Sequence, residues 1–473
     1  MNAPSSQQAN AKRIDASPTK EFFIYMLTRD IPLARAILDL VDNAIDGARK
    51  LRPDGDFSGL WVRVEVSSDH FKISDNCGGI PVEVARTYAF RFGRPRGAPI
   101  TPGSVGQFGV GMKRTFFKLG RHFTVVSTTR SSRFDMDVDV EAWLTEHRAK
   151  ADDKAATELG GQASAAAEDP TAGWHFEFKN VEDDLAVSED EVGTSIVIDQ
   201  LYETVSENFK LDSFITRLKQ DTSLAHSLSI DKGLAISVNG IPLRHDPQTL
   251  FVSETLKPGF VEKRYSGSNG RPGVVVVKLY VGVAQREFHE GGWYIFCNGR
   301  MVLRADQTAT TIWGDTHGLR QYHADFAYFR GYAYFDSDDA ALLPWTTTKT
   351  GVDVDYPIYR TVQQEMVELS KPVLAFLTNL AKEKGAAEAG DQADGALDLA
   401  IRSGKATRTD AISAASFAAP QPRPAPAGPR MQKIQYSRPA DQVAKVRQLL
   451  KANTFAAVGE MTFDYYLKYE GEE

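Results

Sequence analysis

Three short motifs, in a fixed order near the start of the chain, constrain its fold more than any other feature of its 473 residues. They read DLVDNAID over residues 39–46, DNCGGI over 75–80 and VGQFGVGMK over 105–113. Each motif alone has an ordinary explanation, because a single glycine-rich segment is more often a turn than a phosphate-binding loop. Their occurrence together, in this order, predicts one composite site.

The first motif lies in a predicted helix from about Ile31 to Lys50. Apolar residues recur at helical spacing and form a stripe: Ile37, Val41, Ala44, Ile45 and Ala48. Asp39, Asn43 and Asp46 fall on another face, where a carboxylate one turn from an amide suits a divalent cation and a water molecule. The alternative is an ordinary solvated acidic face.

The second motif follows a predicted hairpin. Residues 60–66 and 71–74 alternate between apolar and polar side chains, which predicts two strands that deliver Asp75 to a strand end. The glycines that follow allow the backbone to pass close to a flat ligand. A buried carboxylate there would accept a hydrogen bond from the exocyclic amine of adenine. The alternative is a plain turn.

The third motif is expected to open a helix. Its glycines and the helix N-terminus present backbone N–H groups to an anion, and Lys113 adds a charge for a terminal phosphate. The motif lacks the Gly-Lys-Ser/Thr ending of a P-loop, and no strand directly precedes Gly106 as a dinucleotide-binding motif requires. The preceding stretch, Tyr88 to Ser104, is rich in Gly, Pro and Arg and is predicted to be a mobile loop.

Together the motifs resemble the nucleotide site of the gyrase, heat-shock-chaperone, histidine-kinase and MutL (GHKL) superfamily, which has the Bergerat ATP-binding fold. FRFG over residues 90–93, GQFGVGMK over 106–113 and KLG over 118–120 resemble the microrchidia-like branch most, and the chaperone branch shares GQFGVG. The resemblance makes the loop before Gly106 an ATP lid. It also suggests that Thr194, in the predicted strand 193–198, joins the adenine hydrogen-bond network.

The resemblance implies ATP as the nucleotide and Mg²⁺ as its metal, with Asn43 as the metal ligand. The implied nucleotide-binding residues are Asn43, Asp46, Asp75, Gly79, Ile80, Gly106, Gln107, Phe108, Gly109, Val110, Gly111 and Thr194. Two residues depart from the family pattern. Asp39 stands where most of these ATPases have the glutamate that activates water, and its shorter reach predicts slow hydrolysis. Cys77 replaces the first glycine of the adenine loop, which suggests that this position does not need a positive φ.

A second domain is expected downstream. Residues 233–240, 273–281 and 292–302 read as strands, the last with an Asn-Gly turn followed by Arg300. This pattern is similar to the transducer domain of the MutL and gyrase relatives. The segment PWTTTKTG over 344–351 resembles the transducer loop whose lysine, here Lys349, reaches the γ-phosphate. The alternative is a solvated lysine in a Thr-rich loop.

Composition sets the outer limits. The net charge of −7 does not indicate a nucleic-acid-binding protein as a whole, although basic residues outnumber acidic ones between Arg402 and Lys451. Two cysteines, a polar N-terminus and the lack of a long apolar run predict a cytoplasmic protein with no membrane segment. The predicted divisions are a flexible N-terminus (1–20), the ATP-binding domain (21–205, with an insertion at about 150–173), a transducer-like domain (206–383), a disordered linker (384–430) and a helical tail (431–473).

The expected fold is α/β, a Bergerat-type α/β sandwich followed by a transducer-like α/β domain and a short helical tail. The expected activity is slow ATP hydrolysis, with Asp39, Lys113 and Lys349 as catalytic residues. The resemblance implies a clamp that closes as a homodimer when ATP binds. Its other partner is either DNA or, alternatively, a protein client of a chaperone-like ATPase. A sensor kinase is disfavoured because the first histidine, His70, already lies inside the ATP-binding region.

Overall fold

The computed structural model describes residues 19–93, 101–106, 109–145, 174–188, 191–245, 247–267, 270–314, 318–388, 395–413, 416–422 and 434–471. The predicted N-terminal segment up to residue 18 and the predicted insertion lie outside these ranges. Gln107 and Phe108 of the third motif also lie outside them. The chain divides into two compact units, Met1–Pro422 and Arg423–Glu473.

The first unit begins with a mixed sheet of eight strands. Its members are β1 (Trp61–Val66), β2 (His70–Asp75), β3 (Gly120–Thr128), β4 (Ser132–Asp139), β5 (Phe178–Asp183), β6 (Gly193–Leu201), β7 (Ala235–Val238) and β8 (Ile241–Pro242). They follow the order β5-β4-β3-β6-β2-β1-β7-β8. All neighbours are antiparallel except β1 and β7, which are parallel. The predicted hairpin is confirmed, since β1 and β2 pair with Asp75 at the end of β2.

Helices accompany this sheet. They are α1 (Lys20–Arg29), α2 (Leu33–Leu51), α3 (Val82–Val84, continued by a wide turn, Ala85–Ala89), α4 (Gly111–Leu119), α5 (Glu203–Phe209), α6 (Asp212–Ala225) and α7 (Ser227–Asp231). The predicted helix over the first motif is confirmed as α2, and the whole predicted apolar stripe is buried. The helix predicted to open the third motif is confirmed as α4, which begins at Gly111.

The first sheet extends beyond the boundary predicted at residue 205. Strand β7 pairs with β1, and Leu218, Ile236 and Leu243 are buried in the same apolar core as α2. Composition does not indicate where the first domain ends, because its last strands pair with a strand that lies about 170 residues earlier in the sequence.

A second sheet of five strands follows. It contains β10 (Gly259–Ser266), β11 (Val274–Val283), β12 (Gly292–Cys297), β13 (Arg300–Asp306) and β14 (Phe329–Asp336), in the order β10-β11-β14-β12-β13. The predicted Asn-Gly turn joins β12 and β13, with Asn298 and Gly299 both in the left-handed region. The long helix α8 (Pro357–Glu388) buries Tyr359, Val362 and Leu377 in the core of this sheet.

Part of the predicted linker is folded, which corrects the expectation for residues 384–430. Helix α8 continues to Glu388, α9 spans Ala396–Arg402, and β15 (Lys405–Arg408) pairs with β9 (Thr249–Val252). Helix α9 buries Leu397 and Ile401 in the second core. This segment contains few large apolar residues. It folds because the core of the second sheet buries those it does contain.

The second unit contains two helices, α10 (Ala440–Leu450) and α11 (Phe455–Glu470), within the segment predicted to be a helical tail. Helix α10 has no buried residue, and several aromatic side chains of α11 are exposed, among them Tyr465, Tyr466 and Tyr469. None of the helices in the described part of the chain combines the length and the apolar character that crossing a membrane requires.

Candidate functional site

Helix α2 supplies the polar side chains of the first motif, and its two buried carboxylates face the interior of the unit. Asp39 is 2 % exposed and Asp42 is fully buried, whereas Asn43 is exposed. The alternative of a solvated acidic face therefore fails for Asp39. A buried carboxylate requires cations or hydrogen-bond donors beside it.

Asp39 has two cationic partners. The Arg114 guanidinium, from α4, donates to one carboxylate oxygen, and the Lys349 ammonium lies 3.3 Å from the other. Gly111 allows this approach, since a Cβ there would stand only 3.1 Å from the Asp39 side chain. The predicted site residues Asp39 and Lys349 are thus in contact, although 310 positions separate them in the chain.

Asp42, which the sequence analysis did not select, has more partners than Asp39. Lys349 Nζ lies 2.6 Å from Asp42 Oδ2, Arg300 pairs with the same oxygen, and His226 Nε2 lies 3.7 Å from Oδ1. Burial alone would raise the pKa of Asp42, but the Arg300 guanidinium and the Lys349 ammonium hold that pKa well below its usual range. Asp42 is therefore a buried anion at neutral pH.

These side chains form a group that we name the ionic cluster: Asp39, Asp42, Arg114, His226, Arg300 and Lys349. Burial lowers the pKa of His226 to about 3, so its ring is neutral. The cluster then holds two carboxylates against three basic side chains, all nine-tenths or more buried. A surplus buried positive charge is costly unless an anion offsets it, so the cluster suits an anionic ligand.

The predicted adenine end lies where β2 and β6 meet. Asp75 and Thr194 are direct neighbours across these strands. Thr194 Oγ1 lies 3.0 Å from Ser127 Oγ, and that hydroxyl accepts a hydrogen bond from the Ile80 backbone N–H at 2.7 Å. Gly79 has a φ of +68°, and a Cβ there would collide with the carbonyl oxygen of Thr128.

Asp75 is buried at this end of the site, and its pKa is raised. Burial raises its pKa to about 6, against the opposing effect of backbone N–H groups of Cys77 and Thr194. The Cys77 N–H donates to Asp75 Oδ1 at 2.8 Å. Cys77 itself has no positive φ, as its replacement of glycine suggested.

The start of the third motif is held by α2. Asp46 accepts hydrogen bonds from the backbone N–H groups of Val105 and Gly106, both at 2.7 Å. Asn43 Oδ1 would lie 3.9 Å from a Cβ at Gly106, so three of the predicted nucleotide-binding residues converge here. Farther on, Gly109 has a left-handed φ of +64°, and Val110 is the N-cap residue of α4.

The end of the predicted lid is also attached to the second sheet. Arg49 donates to the carbonyl oxygens of Gly103 at 2.7 Å and Asn298 at 2.5 Å. The Asn298 side-chain amide donates to the Ser104 carbonyl at 2.9 Å, and Val105 is buried in the second core. The Asn-Gly turn therefore joins the lid end to β12 and β13, a role that the turn pattern alone did not reveal.

Lys113 lies in a different environment from the one predicted. Its ammonium group donates to the Ala89 carbonyl at 2.8 Å and is buried, and this burial lowers its pKa to about 7. The geometry does not support a phosphate contact in this conformation. The neighbouring Arg114 is the cation of α4 that reaches Asp39.

The implied Mg²⁺ fits the donors that are present. Asn43 is exposed, and within the described residues its side-chain amide has no hydrogen-bond partner, so its oxygen is open to a cation. No group of three or more His, Cys, Asp or Glu side chains that could hold a metal occurs in the described ranges. A magnesium ion would therefore depend on phosphate oxygens and water for its remaining ligands, as nucleotide-bound Mg²⁺ commonly does.

A separate cleft of about 750 Å³ includes Arg49, Gly103 and the Asn298-Gly299 turn in its lining. Its walls mix both signs of charge, with Lys278 beside Asp336. It contains none of the predicted nucleotide-binding residues. We therefore locate the candidate nucleotide site at α2.

Several site residues were missed from the sequence. Asp42 stood inside the first motif and Arg300 directly after the Asn-Gly turn, but neither position carries a mark that distinguishes a buried ion from a solvated one. Arg114 and His226 had no such mark either. Their involvement depends on contacts between segments that are distant in sequence.

Comparison with known proteins agrees with the motif analysis over the first part of the chain. Residues 31–164 match the family model described as histidine kinase-, DNA gyrase B-, and HSP90-like ATPase. No curated protein matches the chain. The family match contains all three motifs and supports the GHKL superfamily, whereas Thr194, Arg300 and Lys349 lie outside it.

Proposed function

We propose that this chain binds Mg·ATP between α2 and the first sheet and hydrolyses it slowly. The observation that carries the proposal is the contact of Lys349 with Asp39. It joins the lysine that resembles a γ-phosphate ligand to the carboxylate that occupies the position of the water-activating group. The match of residues 31–164 to an ATPase family supports the same conclusion.

Adenine would bind against Asp75 and Thr194, with Gly79 and Ile80 lining the approach. The Asp75 carboxylate would accept a hydrogen bond from the exocyclic amine, and Gly79 allows the close backbone packing of this end, since a Cβ there would collide with the Thr128 carbonyl oxygen. Phosphates would lie toward Gly106, Gly109 and Gly111, at the N-terminus of α4. Gln107, Phe108 and Val110 complete the proposed nucleotide-binding loop.

Asn43 would hold Mg²⁺, which neutralises charge on the β- and γ-phosphates when it is bound. Asp39 would orient the attacking water, and Lys349 and Arg114 would offset the charge that develops on the transferred phosphoryl group. Two features make turnover slow. The aspartate is one methylene shorter than glutamate, and both of its oxygens are engaged by cations.

Two substitutions test this proposal by calorimetry and phosphate release. Asp75→Asn replaces an acceptor with a mismatched amide, and we expect ATP affinity to fall at least about tenfold. Asp39→Ala should bind ATP but lose turnover by about 100-fold or more, and Asp39→Glu should retain or increase it. Unchanged ATP affinity in Asp75→Asn, or full turnover in Asp39→Ala, would contradict the assignment.

The proposal extends to a nucleotide-gated dimeric clamp. Lys349 belongs to the part of the chain that follows the second sheet, so a γ-phosphate would bias the position of that part relative to α2. Light scattering and small-angle X-ray scattering should give a compact dimer with a non-hydrolysable ATP analogue and not with ADP. The same mass and radius in both states would reduce the function to a static ATPase.

DNA is the proposed partner of the clamp, because basic residues outnumber acidic ones between Arg402 and Lys451. A salt-dependent shift of duplex DNA that requires the ATP analogue is the expected result. Suppression of client-protein aggregation without any DNA shift would instead favour a chaperone-like ATPase.

A further inference from the structure

Lys349 is held more closely by Asp42 than by the proposed catalytic carboxylate. Its ammonium group lies 2.6 Å from Asp42 and 3.3 Å from Asp39. Asp42 has no exposed surface, so neither water nor a nucleotide at the surface of α2 competes for it. A buried carboxylate that contacts the lysine but not the solvent is suited to hold the lysine in place.

We propose that Asp42 is a positioning residue, which holds the Lys349 ammonium beside Asp39 where the terminal phosphate of ATP would bind. This inference rests on the proposed ATPase function and adds a residue to its machinery. Asp42 acts through Lys349 and touches neither the nucleotide nor the water.

The backbone at Lys349 supports such a constraint. Lys349 has a left-handed φ of +53°, which is unfavourable for a residue with a side chain, and its N–H donates to the Thr346 carbonyl at 2.9 Å. Such a conformation persists when surrounding contacts determine it. A lysine side chain also has four rotatable bonds, so an uncompensated ammonium here would not keep one position.

Arg300 makes this arrangement possible. It pairs with the same Asp42 oxygen as Lys349 and keeps the carboxylate ionised within the apolar interior. Because Arg300 shares the neutralisation of Asp42, the charge of Lys349 is not fully offset by Asp42. The remaining positive charge is directed to the Asp39 side, where the phosphate would offset it.

The alternative is that Asp42 has only a structural role, in which its ion pairs with Arg300 and Lys349 stabilise the packing of the two sheets. Both roles predict lower stability when Asp42 is changed, so stability cannot separate them. They differ in what happens to Lys349, since a positioning role requires that the lysine becomes mobile and that turnover falls while nucleotide binding is retained.

The experiment compares Asp42→Asn, Asp42→Asn/Arg300→Gln, Lys349→Met and Asp42→Asn/Lys349→Met in the full chain. The double change at 42 and 300 removes both buried charges, which guards against loss of folding. Glu365→Gln is the matched control. Glu365 Oε1 lies 2.6 Å from Lys263 Nζ, the same distance as in the Asp42–Lys349 pair, and this pair lies outside the candidate site. The readouts are calorimetry with an ATP analogue, steady-state phosphate release, and amine labelling of Lys349 followed by mass spectrometry.

We expect the folded Asp42 variants to bind the ATP analogue within about threefold of the wild type while kcat falls about 30- to 100-fold. The losses in Asp42→Asn and Lys349→Met should not multiply, because the two residues act as one unit. Labelling of Lys349 should rise in Asp42→Asn, and Glu365→Gln should resemble the wild type in every readout.

Wild-type turnover in the folded double variant at 42 and 300 would overturn the inference, as would losses that multiply with Lys349→Met. An increase in turnover would also overturn it, by making Asp42 a restraint on Lys349. Labelling of Lys349 decides the matter even if the wild type releases no phosphate. In that case the proposed ATPase function fails, while unchanged labelling would separately refute the positioning role.

Discussion

At the proposed adenine end of the site, Asp75 and Thr194 are neighbours on paired strands, and Gly79 follows in the next turn. At the proposed phosphate end, Asp39 contacts Arg114 from α4 and Lys349 from a loop beyond the second sheet. The proposed adenine end requires only that the first sheet is folded. The second end exists only when segments distant in the chain pack together, so it alone can report on the position of the second sheet.

This difference makes the two ends separable by experiment. A change confined to the ionic cluster should disturb hydrolysis and the docking of the second sheet, and leave the adenine end competent. A change at the adenine end should do the reverse. The predictions below are ordered from the largest expected effect to the smallest.

Arg300→Met should have the largest effect on stability. It removes one buried cation from Asp42, and breaking a buried ion pair on one side typically costs about 3–5 kcal/mol. Urea unfolding should show this loss, and calorimetry should show that ADP still binds within a few-fold of the wild type. Loss of ADP binding together with stability would mean that the two ends are one cooperative structure.

Lys113→Met tests the burial of a predicted phosphate ligand through the pH dependence of stability. The folded pKa is about 7, against 10.5 for an exposed lysine, so between these values the unfolded chain binds the additional proton. The free energy of unfolding therefore rises with pH in this window, by at most about 1.4 kcal/mol per unit. Lys113→Met should remove this rise while turnover changes little.

Lys118→Met is the control for that measurement. Lys118 is on the same helix and also donates to a carbonyl, that of Thr28, but its side chain is only partly buried. The rise of stability with pH should remain in this variant, because Lys113 is still buried. A large loss of turnover in Lys113→Met would instead return Lys113 to the phosphate end.

Asn298→Ala should loosen the lid end from the second sheet. It leaves the Ser104 carbonyl and the Ser337 N–H without their partner, a loss of about 1–3 kcal/mol. Hydrogen exchange should increase over residues 101–106 and in the β12–β13 turn. Asn239→Ala is the matched control. Asn239 and Gly240 form a second turn with positive φ, and in the described part of the chain the Asn239 side chain bonds the Val66 backbone instead of the lid end. Equal exchange at residues 101–106 in both variants would disprove the attachment.

The smallest effect is expected from the pH dependence of adenosine binding. Burial raises the pKa of Asp75 to about 6, so the carboxylate gains a proton as pH falls through that value and becomes a weaker acceptor. Adenosine carries no titrating phosphate, and its affinity should fall about two- to fivefold between pH 7.5 and 5.5. Asp75→Asn should show no such dependence, and a wild-type affinity that is flat with pH would argue against Asp75 as the adenine acceptor.

The sequence alone determined the elements whose signals are local. The stripe of α2, the β1–β2 hairpin, the start of α4 and the Asn298-Gly299 turn all depend on residues within a few positions of one another. Periodicity and turn chemistry report such structure directly. The order of the three motifs likewise indicated the family, which the match over residues 31–164 supports.

Only the tertiary structure decided which charges are buried and which partners they have. Asp42 and Asn43 are adjacent letters of one motif, yet the first is a buried anion and the second is exposed. The same packing buried Lys113 against Ala89, extended the first sheet through β7, and folded α9 and β15 in a segment expected to be a linker. Burial and long-range pairing depend on surfaces contributed by distant segments of the chain. A local pattern of residues therefore cannot predict which side chains these segments bury.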